Sequence, residues 1–140
     1  GGSYLHVQRF VHNMAQWQRL ALKEQEDIIG RTKQDNIEYA SVDKPLTSHI
    51  KRVNLKNSAG RSKEILRQSM PWGSLEEQGL YFISCCHTPE HFTDMLRSMM
   101  IGDGAGHFDH LLRFTRAVTG AAFFAPSQGY LRQGGLMDLR

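Results

Sequence analysis

The sequence predicts an α+β fold in which an antiparallel sheet carries helices on one face. Segments that alternate like β-strands are interspersed with segments of helical period, and the strand-like ones concentrate between residues 50 and 86. The chain has 140 residues, the usual size of one domain. Its composition, 40% hydrophobic and 22% charged, excludes a disordered chain.

The N-terminal part is predicted to contain one strand and one helix. Residues 4–11 alternate as a strand with one apolar face and one wetter face, and we expect the wetter face to be solvated. The polar residues of that face are His6, Gln8 and His12. Apolar residues then recur at helical spacing over 14–29, and Gly30 stands where a helix commonly ends. Residues 31–48 form a long loop, a feature that is often functional in a compact domain.

The middle of the chain is predicted to supply most of the sheet. Short strands are expected at 50–55 and 64–70, and a third at 79–86. This third strand is apolar on both faces, which is typical of a central position. Thr88 is expected to cap a helix that starts with Pro89. The apolar stripe of that helix is formed by Phe92, Met95, Leu96, Met99 and Met100.

The remaining segments complete a pattern that fits a ferredoxin-like arrangement. Glycines at 102–106 break the helix, residues 108–114 form another helix, and 118–125 form a final buried strand. The tail from Ser127 is expected to be partly helical. We find no internal repeat, so residues 1–140 are taken as a single domain.

Charge, hydropathy and cysteine content narrow the class of protein. The 17 basic residues are dispersed among 14 acidic ones, which argues against nucleic-acid binding, and the mean hydropathy of −0.45 argues against a membrane span. Cys85 and Cys86 are adjacent, so a disulfide between them would be strained. Two reduced, buried thiols are typical of a cytoplasmic protein.

Two residues stand out as candidates for chemistry. Of the seven histidines, His87 and His91 need not share a face because His87 precedes the expected helix cap, and His107 and His110 lack an evident third metal ligand. Both pairs are expected at the surface. His49 instead follows the long loop, and Arg67 stands on a strand beside the apolar central strand. An arginine there must be paired or must point into a polar cavity. A cavity reached by both side chains would suit a metal cofactor or an anion.

Six segments, taken in order, resemble a known family. They are GGSYL at 1–5, IIGRTK at 28–33, SH at 48–49, ILRQSMPWG at 65–73, GLYFI at 79–83 and FTRAVTG at 114–120. Their order and spacing are similar to the dye-decolourising (DyP-type) haem peroxidases, with the bacterial cytosolic branch as the best match. Members of that family have two ferredoxin-like halves, and this chain resembles the C-terminal half.

The resemblance implies a haem b cofactor and a set of site residues. His49 matches the proximal iron ligand and Arg67 the distal arginine that stabilises charge as peroxide is cleaved. Ser69 falls where some relatives have asparagine, and Phe82 matches an apolar residue over the distal face. An acid should support the proximal histidine, with Asp109 preferred and Asp103 as the alternative. Met95 and Met99 have two interpretations, lining of the proximal pocket or ordinary core, and their helical stripe favours ordinary core.

The resemblance also implies partners. These are hydrogen peroxide, a small aromatic electron donor such as a dye or phenol, the N-terminal half of the same protein and further copies in a homo-oligomer. The family's distal aspartate lies in a GxxDG motif of the N-terminal half, and this motif does not occur here. We therefore expect the chain alone to be a poor peroxidase. Two alternatives stay open, a haem-binding or iron-handling module without significant turnover, and a cofactor-free domain that binds a partner protein.

Overall fold

Four strands form one antiparallel sheet in the computed structural model, which describes residues 1–134. In the spatial order β2-β3-β1-β4, they are β2 (Leu66–Gly73), β3 (Gln78–Cys86), β1 (Ser3–His12) and β4 (Thr115–Ala125). This strand order, with helices in both crossovers, is the ferredoxin-like α+β fold that the sequence predicts. The central place of the apolar strand β3 is confirmed.

The helices lie in the connections between strands, except the last one, which follows β4. They are α1 (Met14–Trp17), α2 (Leu22–Ile29), α3 (His49–Val53), α4 (Glu90–Met100), a 3-10 helix (His110–Arg113) and α5 (Gln128–Arg132). Residues 31–48 are a loop without a helix or strand, as expected. The predicted start of α4 was one residue early, because Thr88 Oγ1 accepts a hydrogen bond from the Glu90 amide while Glu90 begins the helix. Within residues 1–134, no helix is long and apolar enough to cross a membrane.

The single helix predicted over 14–29 is in fact two helices. Gly30 does end α2 in the left-handed conformation, with φ of 95°. The break before α2 is stabilised by the buried side chain of Gln25, whose amide nitrogen donates to the carbonyls of Trp17 (3.0 Å) and Leu20 (3.3 Å). These carbonyls have left the helical ladder, so the glutamine compensates for the lost bonds.

The strand predicted at 50–55 is wrong, since this segment is the helix α3. Ser48 caps the helix. Its hydroxyl accepts from the Lys51 amide at 3.4 Å and its carbonyl accepts from the Arg52 amide at 3.1 Å. Six residues with alternating polarity are too few to separate a strand from a short helix, and the capping serine was the more informative signal.

The two edge strands also differ from expectation. β4 was predicted to be buried, but most of its residues are exposed because it pairs on one side only. β2 continues through Pro71 instead of ending before it. Proline is tolerated there because β2 is an edge strand, where a missing N–H need not break the ladder.

The register places the side chains of neighbouring strands in rows on each face of the sheet. One row contains Arg67, Ser84, His6 and Ala122, and the next contains Ser69, Phe82, Gln8 and Gly120. We call this face the inner face, since α3 and α4 cover it. The opposite, outer face bears exposed apolar side chains, which include Leu66 (69% exposed), Met70 (55%) and Phe123 (57%).

A β-bulge interrupts the pairing of β1 with β4. Arg9 pairs with Thr119, but the next residue, Phe10, pairs with Ala117, so Val118 has no partner on β1. A bulge of this kind inserts one extra residue and exchanges the faces beyond it. Beyond the bulge, Ala117 and Thr115 therefore lie on the inner face.

Gly79 is required by the close approach of three strands. A Cβ at this position would lie 1.9 Å from the Phe10 carbonyl oxygen and 2.8 Å from the Trp72 ring, whose Nε1 donates to the same carbonyl at 3.1 Å. We therefore expect Gly79→Ala to destabilise the fold by about 1–3 kcal/mol, as overpacking does. Gly120→Ala is the matched control, because its Cβ would meet nothing closer than 4.0 Å. Urea unfolding measures both, and equal midpoints would contradict the steric argument.

Candidate functional site

A cavity of about 510 Å³ separates the inner face of the sheet from α3 and α4. It occupies the position where a two-layer domain normally has its hydrophobic core. Few apolar side chains are fully buried in the described residues, which agrees with a core opened into a site. Its lining is mostly apolar with a few polar groups, as in ligand sites. The lining residues are His6, Gln8, Phe10, His12, His49, Val53, Ile65, Arg67, Ser69, Leu80, Phe82, Ser84, Phe92, Met95, Leu96, Met99, Met100, Leu111, Leu112, Thr115 and Ala117.

His49 reaches the cavity from the first residue of α3 and is held by a buried carboxylate. Its Nδ1 lies 2.7 Å from Oδ2 of Asp109, whose side chain has no exposed surface. The other carboxylate oxygen accepts from the Leu111 amide at 2.9 Å, so the acid cannot rotate freely. With its proton on Nδ1, the imidazole presents an unprotonated Nε2, which is the form that binds a metal.

The two candidate acids, Asp109 and Asp103, each contact a different histidine. Asp103, the alternative, lies 2.8 Å from Nδ1 of His107, and both side chains are partly exposed. The His107 hydrogen bond lowers the pKa of Asp103 to about 2. Neither residue lines the cavity. Asp103 lies 3.7 Å from the guanidinium of Arg52. Of the two acids, Asp109 is therefore the one that contacts His49.

Arg67, Ser69 and Phe82 reach the cavity from the sheet, on the wall opposite the helices. Arg67 and Ser69 belong to β2, and Phe82 is the direct neighbour of Ser69 on β3. Arg67 makes no ion pair with any residue in the described part of the chain, which leaves its guanidinium able to meet an anionic or polar ligand. The structure thus brings all five predicted site residues to one cavity or its supporting wall.

Four further lining residues were not among the predicted site residues. His6 and His12, expected in solvent, line the cavity, and so do Met95 and Met99, of which Met95 is also buried in the core as expected. Alternation correctly separated the two faces of β1, but it could not say which face the helices cover. The apolar stripe of α4 could have indicated the position of these histidines, because the stripe must pack against one face of the sheet. The face that it covers is the one that carries His6 and His12.

Burial changes the chemistry of the polar groups inside. Desolvation lowers the pKa of His12 below its ordinary 6.5, and Nδ1 of this residue lies 2.8 Å from the Thr115 hydroxyl. Burial also lowers the pKa of His110, which does not line the cavity, with a smaller contribution from the positive charge of Arg113. The Nε2 atom of His6 is buried and has no hydrogen-bond partner within residues 1–134, while its ring stacks on Phe92. Such an atom is suited to meet a bound ligand.

The fold and the cavity together define a ferredoxin-like domain built to hold an apolar group with a histidine on one side and an arginine on the other. A family model described as "Dyp-type peroxidase, C-terminal" matches residues 1–130. The chain belongs to the DyP-type peroxidase family.

Individual relatives agree with this assignment. The dye-decolorizing peroxidase of Mycobacterium tuberculosis is 44% identical over 133 residues, which make up 94% of this chain and 40% of that protein. The corresponding protein of Rhodococcus erythropolis is 38% identical and is covered to 39%. The chain thus spans about 40% of the length of these curated relatives.

Solved structures agree as well. A DyP-type peroxidase protein from Shewanella oneidensis superposes with a TM-score of 0.90 at 70% identity, over 94% of this chain and 43% of that chain. A variant of DypB from Rhodococcus jostii, solved in complex with haem, has a TM-score of 0.90 at 41% identity over the same shares. The family is haem-dependent, and the ferredoxin-like fold is that of its C-terminal domains.

Proposed function

We propose that this chain is the haem-ligating half of a peroxidase that uses hydrogen peroxide to oxidise dyes or phenolic donors by one electron. The observation that carries the proposal is the cavity, which His49 and Arg67 reach from opposite walls. Each side chain alone has ordinary structural explanations. Together, a carboxylate-supported imidazole facing a guanidinium supplies an iron ligand and a cation on the side where peroxide would bind.

The residues fit a haem b group. The apolar side chains of the lining suit a porphyrin, and His49 offers Nε2 as a ligand because Asp109 occupies Nδ1. The buried, unpartnered Nε2 of His6 and the free guanidinium of Arg67 are polar groups that a bound cofactor or its ligands could meet. When bound, haem supplies the redox-active iron at which peroxide is cleaved.

Each residue then has a defined task in the proposed reaction. His49 would hold the iron through Nε2, and Asp109 would fix the orientation of the imidazole and make it more electron-rich. Arg67 would stabilise the negative charge that develops when the O–O bond of peroxide is cleaved. Phe82 would cover the same side, and any hydrogen bond from Ser69 to peroxide would be altered or would pass through a water molecule.

Proton transfer is assigned to a part of the protein outside this chain. The sequence has no GxxDG motif, and its outer sheet face leaves Leu66, Met70 and Phe123 exposed. An apolar face of this kind is typical of a surface covered by another unit. We assign that unit to the N-terminal half of the same protein, which would bring the acid that shuttles the proton.

An absorption spectrum tests the proposal most directly. The full-length gene product, loaded with haem, should show a Soret band that changes on addition of hydrogen peroxide, and it should bleach a dye or oxidise a phenol. A Soret band without peroxide-dependent oxidation would favour the haem-binding or iron-handling alternative. Failure to take up haem would favour a cofactor-free domain that binds a protein partner.

Asp109→Asn should change the haem more than the fold. The asparagine oxygen can accept one of the two bonds that the carboxylate accepts now, but it carries no charge to make His49 electron-rich. We expect a roughly 10–100-fold loss of haem affinity or activity, together with a more positive reduction potential. Asp103→Asn is the matched control, since that acid pairs with His107 outside the cavity. Equal potentials in the two variants would contradict the role of Asp109.

A further inference from the structure

A cysteine and two histidines meet at the junction between the sheet and α4, outside the cavity lining. Cys86 ends β3, His87 follows it, and His91 lies in the first turn of α4. The backbone carbonyl of Glu64, just before β2, reaches the same point. The proposed peroxidase reaction uses none of these groups.

Four contacts among these ligand atoms are close to the spacing found in a tetrahedral metal centre. Sγ of Cys86 lies 3.2 Å from Nδ1 of His91, 3.7 Å from Nδ1 of His87 and 3.4 Å from the Glu64 carbonyl oxygen. The His91 nitrogen is 3.1 Å from that oxygen, and the three side-chain atoms all lie within 4.8 Å of one another. Ligand atoms about 2.0–2.3 Å from a tetrahedral Zn²⁺ ion are roughly 3.3–3.6 Å apart.

We infer that Cys86, His87 and His91 bind a zinc-like transition-metal ion, with the Glu64 carbonyl as the fourth ligand. One thiolate and two imidazoles are a donor set that Zn²⁺ prefers. The backbone places two donors next to each other at a strand end and the third on the helix that follows. Sequence spacing did not reveal the site because the strand-to-helix turn, rather than one helix face, brings the donors together.

Without a metal, the same contacts are hydrogen bonds. The Cys86 thiol and Nδ1–H of His91 both can donate to the Glu64 carbonyl. Metal binding then releases the thiol proton to solvent, and the Nδ1 proton of His91 is exchanged through water for one on Nε2, so that each imidazole binds through Nδ1 in its neutral form. The carbonyl exchanges two weak donors for the metal ion, so no buried group loses its partner.

The position suggests what the ion does. It would join the end of β3 to the beginning of α4, one residue before the buried Phe92. The Phe92 ring stacks on His6 in the cavity wall, with ring centroids 5.7 Å apart. A bound ion would therefore fix the start of the helix that closes the cavity, without taking part in peroxide chemistry.

Cobalt titration tests the site, because Co²⁺ takes the place of spectroscopically silent Zn²⁺. The full-length gene product should bind one Co²⁺ ion with a thiolate-to-cobalt charge-transfer band, and added Zn²⁺ should remove that band. Cys86→Ser should abolish the band. Cys85→Ser should keep it, since the Cys85 side chain lies on the opposite face of β3.

His87→Asn provides a second variant that does not depend on a buried residue. His87 is exposed, so its replacement should leave the fold intact while Co²⁺ affinity falls at least tenfold. His107→Asn, a change of a partly exposed histidine away from this cluster, should leave the affinity unchanged. A band that persists in Cys86→Ser, or an affinity that His87→Asn does not alter, would overturn the assignment.

Discussion

Arg67→Leu is expected to slow the reaction with hydrogen peroxide by roughly 10²–10³-fold, the usual cost of removing one preorganised donor from developing charge. Arg67 lies on the sheet wall of the cavity and makes no ion pair in the described part of the chain, so its charge is available to the ligand. Haem binding should be nearly unchanged, because the proposed iron ligand, His49, lies on the opposite wall of the cavity. Stopped-flow mixing of the haem-loaded, full-length gene product with peroxide measures the rate.

Two further variants test whether the effect depends on the guanidinium of Arg67 itself. Arg67→Lys keeps a positive charge but loses the planar fork, so its rate should fall between those of the parent and of Arg67→Leu. Arg97→Leu removes an arginine of α4 that does not line the cavity, and it should leave the rate unchanged. Undiminished peroxide reactivity in Arg67→Leu would show that the guanidinium is not used and would favour the haem-binding alternative.

His49→Ala is expected to weaken haem binding strongly. Loss of a residue that only hydrogen-bonds to a metal ligand costs roughly 10–100-fold in affinity, and loss of the ligand itself should cost more. The substitution removes the imidazole and leaves the buried carboxylate of Asp109 with one hydrogen bond fewer. The Soret band should shift or disappear, and peroxide-dependent oxidation should fall with it. Added imidazole should restore part of the band, because it can enter the space that the side chain occupied.

The second histidine–aspartate pair provides the control for His49. Nδ1 of His107 is bonded to Asp103 with nearly the same geometry, 2.8 Å against 2.7 Å, but neither residue lines the cavity. His107→Ala should therefore leave the spectrum and the activity as they are. An unchanged Soret band and unchanged oxidation in His49→Ala would refute the ligand assignment.

The sequence predicts the fold well where the pattern is long and poorly where it is short. The eight residues 79–86 of β3 are read as apolar on both faces, and the central place of the strand follows directly. The five-residue helix α3 was taken for a strand, because its polarity pattern is compatible with either structure. The exposure of β4 follows from strand order, which no local pattern contains.

The sequence pattern predicts the two polar residues His49 and Arg67 of the site, but it does not predict which other residues form the cavity walls. Arg67 is identifiable because a charged side chain beside an apolar strand must form an ion pair or point into a polar cavity. His6 and His12 were missed because the side that helices cover is a tertiary property. The contact between His49 and Asp109 spans 60 residues, and geometry alone separates Asp109 from Asp103.

The bulge in β4 sets which charges the cavity contains. With uninterrupted pairing, Val118 would stand opposite Phe10 and Arg116 opposite His12, which would direct a second guanidinium inward. The extra residue instead turns Arg116 away and gives His12 the neutral hydroxyl of Thr115. A single inserted residue thus keeps a second arginine out of the β4 end of the sheet wall, and Arg67 is the arginine that lines the cavity in the described residues.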